Sequence, residues 1–124
     1  YIALAILTRH RTSCFDSNLR VMLDLSQGAG AYVYLPTQPY FTVTGQSADS
    51  LERAYRDGLR EHNALVSALT LLTEARLIDL DQAMPREQRY FADPIHMTRE
   101  GNAEKARLVS AALRAGSSYL STLP

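Results

Sequence analysis

Asp93 and His96 stand three residues apart in the run Tyr90-Phe91-Ala92-Asp93-Pro94-Ile95-His96-Met97-Thr98-Arg99-Glu100-Gly101-Asn102. A carboxylate and an imidazole at that spacing are two parts of a general-base device. The ring can take a proton from a nucleophile at one nitrogen only when an acceptor holds the other, which fixes both tautomer and direction. Pro94 lies between them, locking its own φ and restricting Asp93 as well, so the segment reads as a tight loop. An isolated Asp-x-x-His is also an ordinary surface turn, and the elements around it must separate the two readings.

Upstream, Ala75-Arg76-Leu77-Ile78-Asp79-Leu80 has the character of a short buried strand over 76–80, followed by a polar loop over 81–89. Downstream, Thr98 caps a last amphipathic helix expected to run to about residue 115, with Gly116 as its stop. The longest periodic segment is 47–73, where Leu51, Tyr55, Leu59, His62, Val66, Leu69 and Leu72 recur every three or four residues and give one apolar face. Asp49 and Glu52 resemble a capping pair at its start. Asp16 or Ser17 can cap an earlier helix with Leu19, Met22, Leu23 and Leu25 on one side, ended by Gly28 and Gly30. Ala31-Tyr32-Val33-Tyr34-Leu35 follows as a strand stopped by Pro36, while the apolar run 1–11 fits either a helix or the tail of a buried strand. Helices alternating with strands indicate a three-layer α/β fold with a parallel sheet, although only two strands are evident. Two strands alone leave edges unpaired and helix faces uncovered, which implies further strands from elsewhere.

The Asp93 to His96 block, with the trailing Thr98-Arg99-Glu100-Gly101-Asn102, resembles the Asp-x-x-His signature of the SGNH (GDSL-type) esterases and lipases. The order of strand, loop, Asp-x-x-His and closing helix is similar to that family's C-terminal end. The resemblance implies a flavodoxin-like three-layer parallel sheet, with residues 1–124 as the C-terminal part of a single SGNH hydrolase domain whose N-terminal strands are missing. It also implies that His96 is the general base and Asp93 its orienter in a Ser-His-Asp mechanism. The nucleophile and oxyanion donors would come from the missing N-terminal part of the domain, leaving this piece inactive alone. Neither metal nor organic cofactor is implied, and the substrate is a small-molecule or carbohydrate ester.

In an open α/β sheet, ligands sit beyond the carboxyl ends of the strands, so the loop from Thr37 to Phe41 should share a rim with the Asp93 to His96 loop. On that expectation Gln38 donates to a substrate carbonyl or holds the loop, and Tyr40 and Phe41 wall an acyl or sugar pocket. Met97, beside the imidazole, is a third substrate-binding candidate after Gln38 and Tyr40. The plainer alternative is that Tyr40 and Phe41 cover the sheet end. Ala48-Asp49-Ser50-Leu51 imitates a Gly-Asp-Ser-Leu nucleophile block, but its position at a helix start makes Asp49 and Ser50 capping residues. Ser13 and Ser17 have no supporting context. His62 falls on the apolar stripe of the long helix as a core or partly buried residue, and His10 belongs to a basic surface cluster.

Composition removes several other classes. With 13 basic and 13 acidic side chains the formal charge is zero, which gives no long-range field toward nucleic acid or anionic lipid. The apolar opening run is far below the ~20 residues of a membrane span, and no signal-peptide pattern surrounds it. Cys14, the one cysteine, excludes an intrachain disulfide and reads as an inert, partly buried thiol. Nothing has zinc-ligand spacing. Two other classes stay open: a non-catalytic α/β interaction module whose Asp93 to His96 loop is only a capped turn, and, less favoured, a metal-dependent phosphoesterase in which Asp93 and His96 join Asp79 or Asp81 as ligands, without the further His and Asp residues such sites use.

Overall fold

The computed structural model describes residues 13–42 and 50–120. The elements, in chain order, are α1 (Ser13–Gly28), β1 (Tyr34–Pro36), α2 (Ser50–Leu72), β2 (Arg76–Ile78), the short α3 (Leu80–Ala83), a 3₁₀ turn (Gln88–Tyr90) and α4 (Arg99–Leu120). The two strands run parallel, with Tyr34 opposite Arg76, Leu35 opposite Leu77 and Pro36 opposite Ile78, and α2 makes the crossover between them.

This corrects the expected three-layer parallel-sheet fold, because the described chain is mostly helical and its sheet has two strands of three residues each. The physical reason lies at the strand ends. Immediately after Ile78 the Asp79 carboxylate accepts from the Gln82 N–H at 3.1 Å and caps α3, so the expected strand over 76–80 gives way to a helix. The expected polar loop over 81–89 likewise contains α3 and the 3₁₀ turn.

Pro36 does not stop β1 but belongs to it. In the flanking ladder bonds the Arg76 N–H donates to the Val33 carbonyl at 2.9 Å and the Thr37 N–H to the Ile78 carbonyl at 3.0 Å. In a parallel pair, alternate residues of a strand bond the partner, so the nitrogen of Pro36 faces the open edge, where a missing N–H is harmless. The turn between α1 and β1 forms as expected at glycine, with Gly30 at φ 78° and the Ala31 N–H donating to Ser26 O at 2.9 Å.

Two apolar clusters hold these elements. Leu23, Leu35, Val66, Leu69 and Ala75 join α1, β1 and α2, with Leu19, Val33 and Leu65 packed around them. Phe41, Met84 and Phe91 form the second cluster with Tyr90, Met97 and Leu108, and Phe41 stacks on Phe91 with centroids 5.0 Å apart. The periodic stripes are only partly used: Met22 and Leu25 of α1 are exposed on either side of the buried Leu23, and Leu51, Tyr55 and Leu72 of α2 are exposed while Val66 and Leu69 are buried. His62 is half-buried against the Phe15 ring at 4.5 Å, and Cys14 is exposed rather than partly buried.

Gly116 does not end the last helix, which continues to Leu120. A Cβ there would lie 1.8 Å from the Tyr34 hydroxyl and 2.7 Å from Arg76 Nη1, so glycine admits α4 against the sheet. Arg76 Nη1 donates to the Gly116 carbonyl at 3.0 Å across that contact. Asp49, the proposed capping partner of Glu52, and His10 lie outside the described residues. Among the described residues, no helix is long and apolar enough to cross a membrane.

Candidate functional site

The Asp93 to His96 loop is closed at its base by an antiparallel bridge between Phe91 and Met97 and by the Ala92 N–H donating to His96 O at 2.8 Å. Within it the Asp93 carboxylate divides its two oxygens. Oδ1 accepts the backbone N–H groups of Ile95 at 2.9 Å and His96 at 2.8 Å, and Oδ2 meets His96 Nδ1 at 2.7 Å. One oxygen therefore shapes the turn while the other aims the ring.

Those bonds hold the Asp93 carboxyl at about 2, below its ordinary 3.8, the two backbone N–H donors first and the imidazole after them. An ionised carboxylate only accepts, so the ring nitrogen facing it carries the proton, and Nε2 is the nitrogen left to face outward. The His96 side chain is 72% exposed and Asp93 48%, which leaves Nε2 open to an incoming group. Among the described residues Asp93 is the ring's one hydrogen-bonding partner, and no serine hydroxyl is bonded to it.

The residues around the loop explain its stiffness. Thr98 Oγ1 accepts from the Gly101 N–H at 3.0 Å, capping α4, and donates to Arg89 O at 2.6 Å. The Thr98 N–H donates to Tyr90 O at 3.1 Å, and a Cβ on Gly101 would lie 2.0 Å from that same oxygen. The Thr-x-x-Gly that trails the histidine is thus the joint that presses the helix start onto the 3₁₀ turn. From the other side, the Phe41 N–H donates to Pro94 O at 2.9 Å, and Gln38 Nε2 lies 3.5 Å from both Pro39 O and Ile95 O.

Gln38 is therefore placed as a bridge between the two loops, its backbone gripped by Asn63, which accepts from the Gln38 N–H at 2.8 Å and donates to Gln38 O at 2.9 Å. The Tyr40 hydroxyl donates to Glu52 Oε1 at 2.9 Å. Burial first and that acceptor second raise its pKa above the ordinary phenol value, so it stays a donor at neutral pH. Phe41 is buried in the second apolar cluster, and Met97 is half-buried against the same cluster. Neither Asp93 nor His96 lines the cavity that Tyr40 and Phe41 border. The pair is brought together, Gln38 reaches its loop at Ile95 O, Met97 bridges Phe91 at its base, and Tyr40 is bonded instead to Glu52 on α2.

Sequence reasoning missed Asn63, Thr37 and Arg86. Thr37, nine-tenths and more buried, donates through Oγ1 to Asp79 at 2.9 Å and accepts from the Asp81 N–H at 2.9 Å. Arg86 binds the carbonyls of Tyr40 and Asp81 and reaches Asp81 Oδ1 at 2.5 Å. A polar Asn63 one turn before Val66, on the half-buried stripe of α2, was the available signal. Asp79 and Asp81 are thus engaged in structure, and among the described residues no group of three or more His, Cys, Asp or Glu is placed to hold a metal ion. Comparison with family models, curated proteins and solved structures returns no match for this chain.

Proposed function

We propose that this chain takes part in ester hydrolysis by an SGNH-like Ser-His-Asp mechanism, with His96 as general base and Asp93 as its orienter. The resemblance used here is that of the Asp-x-x-His block and its trailing Thr-x-x-Gly, and does not extend to the layer architecture. The observation that carries the reading is the 2.7 Å contact between Asp93 Oδ2 and His96 Nδ1, with the opposite edge of the ring open to solvent.

In that mechanism the attacking hydroxyl, delivered from outside the described residues, loses its proton to His96 Nε2 as its oxygen bonds the ester carbonyl carbon. Asp93 stabilises the imidazolium that results. The same proton then passes to the departing alkoxide as the carbonyl–oxygen ester bond breaks. Water repeats the sequence to release the acid and restore the hydroxyl. The loop meets the demand for a fixed base because its two ends, its carboxylate and its proline are all tied down.

The test is hydrolysis of a short-chain nitrophenyl ester by the intact parent domain, which supplies the hydroxyl, and by its His96→Ala variant. A fall in kcat of about 10³-fold or more is expected. Equal turnover by the two proteins would remove His96 from the reaction.

A further inference from the structure

A cavity of about 390 Å³ opens between the 37–42 segment, the N-terminal half of α2 and the residues around α3. That volume falls within the range that holds small organic ligands, about 300–1,000 Å³. Arg56, Arg60 and Asn63 stand on one stripe of α2, four and seven residues along, and Arg86 faces them from beyond α3. Asp81 is the one carboxylate among the described lining residues, and Arg86 already engages it at 2.5 Å.

Arg56 and Arg60 are the guanidiniums with donors to spare. Their shared acidic neighbour, Asp57, is 62% exposed and approaches Arg56 Nε at 3.6 Å and Arg60 Nη1 at 4.0 Å, distances too long for hydrogen bonds. Arg56 Nε is buried without any hydrogen-bond partner. That leaves the Arg56 charge without a close counter-group, and an oxyanion at the guanidinium's outer nitrogens would compensate the charge. Phe41 and Leu59 give the same cavity apolar wall.

We propose that this cavity is a binding site for a small oxyanion ligand, a carboxylate or phosphate ester with an apolar body, gripped by Arg56 and Arg60. Guanidinium forks match both groups bidentately, and the two arginines one helical turn apart can share one oxyanion. The zero net charge of the chain argues for a small molecule over a polyanionic polymer. The site is separate from Asp93 and His96 and does not depend on the proposed hydrolysis.

Calorimetric titration of the native protein with phenyl phosphate, benzoate and neutral benzamide tests the proposal. Saturable binding of either anion, with benzamide weaker by about tenfold or more, is expected. Binding by phenyl phosphate alone assigns the phosphate class, and binding by benzoate alone the carboxylate class. The exposed Arg60→Gln should weaken the anion several-fold and Arg56→Gln/Arg60→Gln about tenfold or more, while His96→Ala binds as the native protein does. Circular dichroism checks that each variant is folded. Equal binding of benzamide and the anions, or unchanged anion affinity in folded Arg60→Gln and in the double variant, overturns the proposal.

Discussion

The Asp93 to His96 loop and the arginine-lined cavity both border the 37–42 segment, and they are built in opposite ways. In the loop, a carboxylate and an imidazole three residues apart are joined by a turn that the carboxylate itself holds. In the cavity, residues from the 40s, 50s, 60s and 80s of the chain meet only because α2 packs beside the 37–42 segment. Local construction makes the first site independent of most of the fold, whereas the second exists only when the fold does. Phe41 links the two, donating its N–H to Pro94 O while its ring packs beneath the loop.

Substitutions can separate the regions, in descending order of expected effect. His96→Ala is expected to abolish ester turnover, about 10³-fold or more, while leaving anion titrations at the cavity unchanged. Asp93→Ala should cost about one to two orders of magnitude less in kcat, because it removes the orienter and leaves the base in place. Gly101→Ala is a stability test. Alanine adds up to ~1 kcal/mol of helix propensity, but its Cβ would fall 2.0 Å from the Tyr90 carbonyl oxygen, so a net loss of about 1–3 kcal/mol is expected in urea unfolding. Thr98→Ala removes the cap from α4 and should cost about 0.5–2 kcal/mol by the same measurement.

Acidity gives the smallest and most local effect. The Asp93 carboxyl is lowered from 3.8 to about 2 in the folded loop, so its ionised form favours the closed turn. Its contribution is complete above pH 3.8 and is lost as the pH falls toward 2. A carboxyl-detected NMR titration should place its midpoint near 2, and a midpoint at 3.8 would show that the turn does not hold the carboxylate.

What was legible in the sequence follows the same division. The pair, the proline between its members and the Thr98 cap are all within ten residues of one another, and local spacing is enough to read them. The helices were visible as periodic runs, but their ends were not. The start of α3 depends on Asp79 turning to cap it, and the continuation of α4 past Gly116 depends on Tyr34 and Arg76 packing there. The three-layer sheet was an extrapolation from two strand-like runs, which pair with each other and form the whole sheet of the described residues. Gln38 and Tyr40 were singled out by nearness to a strand end, yet their partners are Asn63 and Glu52 on α2, which no local pattern connects to them. Arg56, Arg60 and Arg86 share no local pattern, and only the fold sets them around one space.

The account rests on the imidazole being aimed by its neighbouring carboxylate, and the ring's ¹⁵N resonances report this directly. With the neutral ring, the protonated nitrogen of His96 should be Nδ1 and the bare one Nε2, a preference that weakens or reverses in Asp93→Asn. A neutral ring protonated at Nε2 in the native protein, with no response to Asp93→Asn, would contradict it.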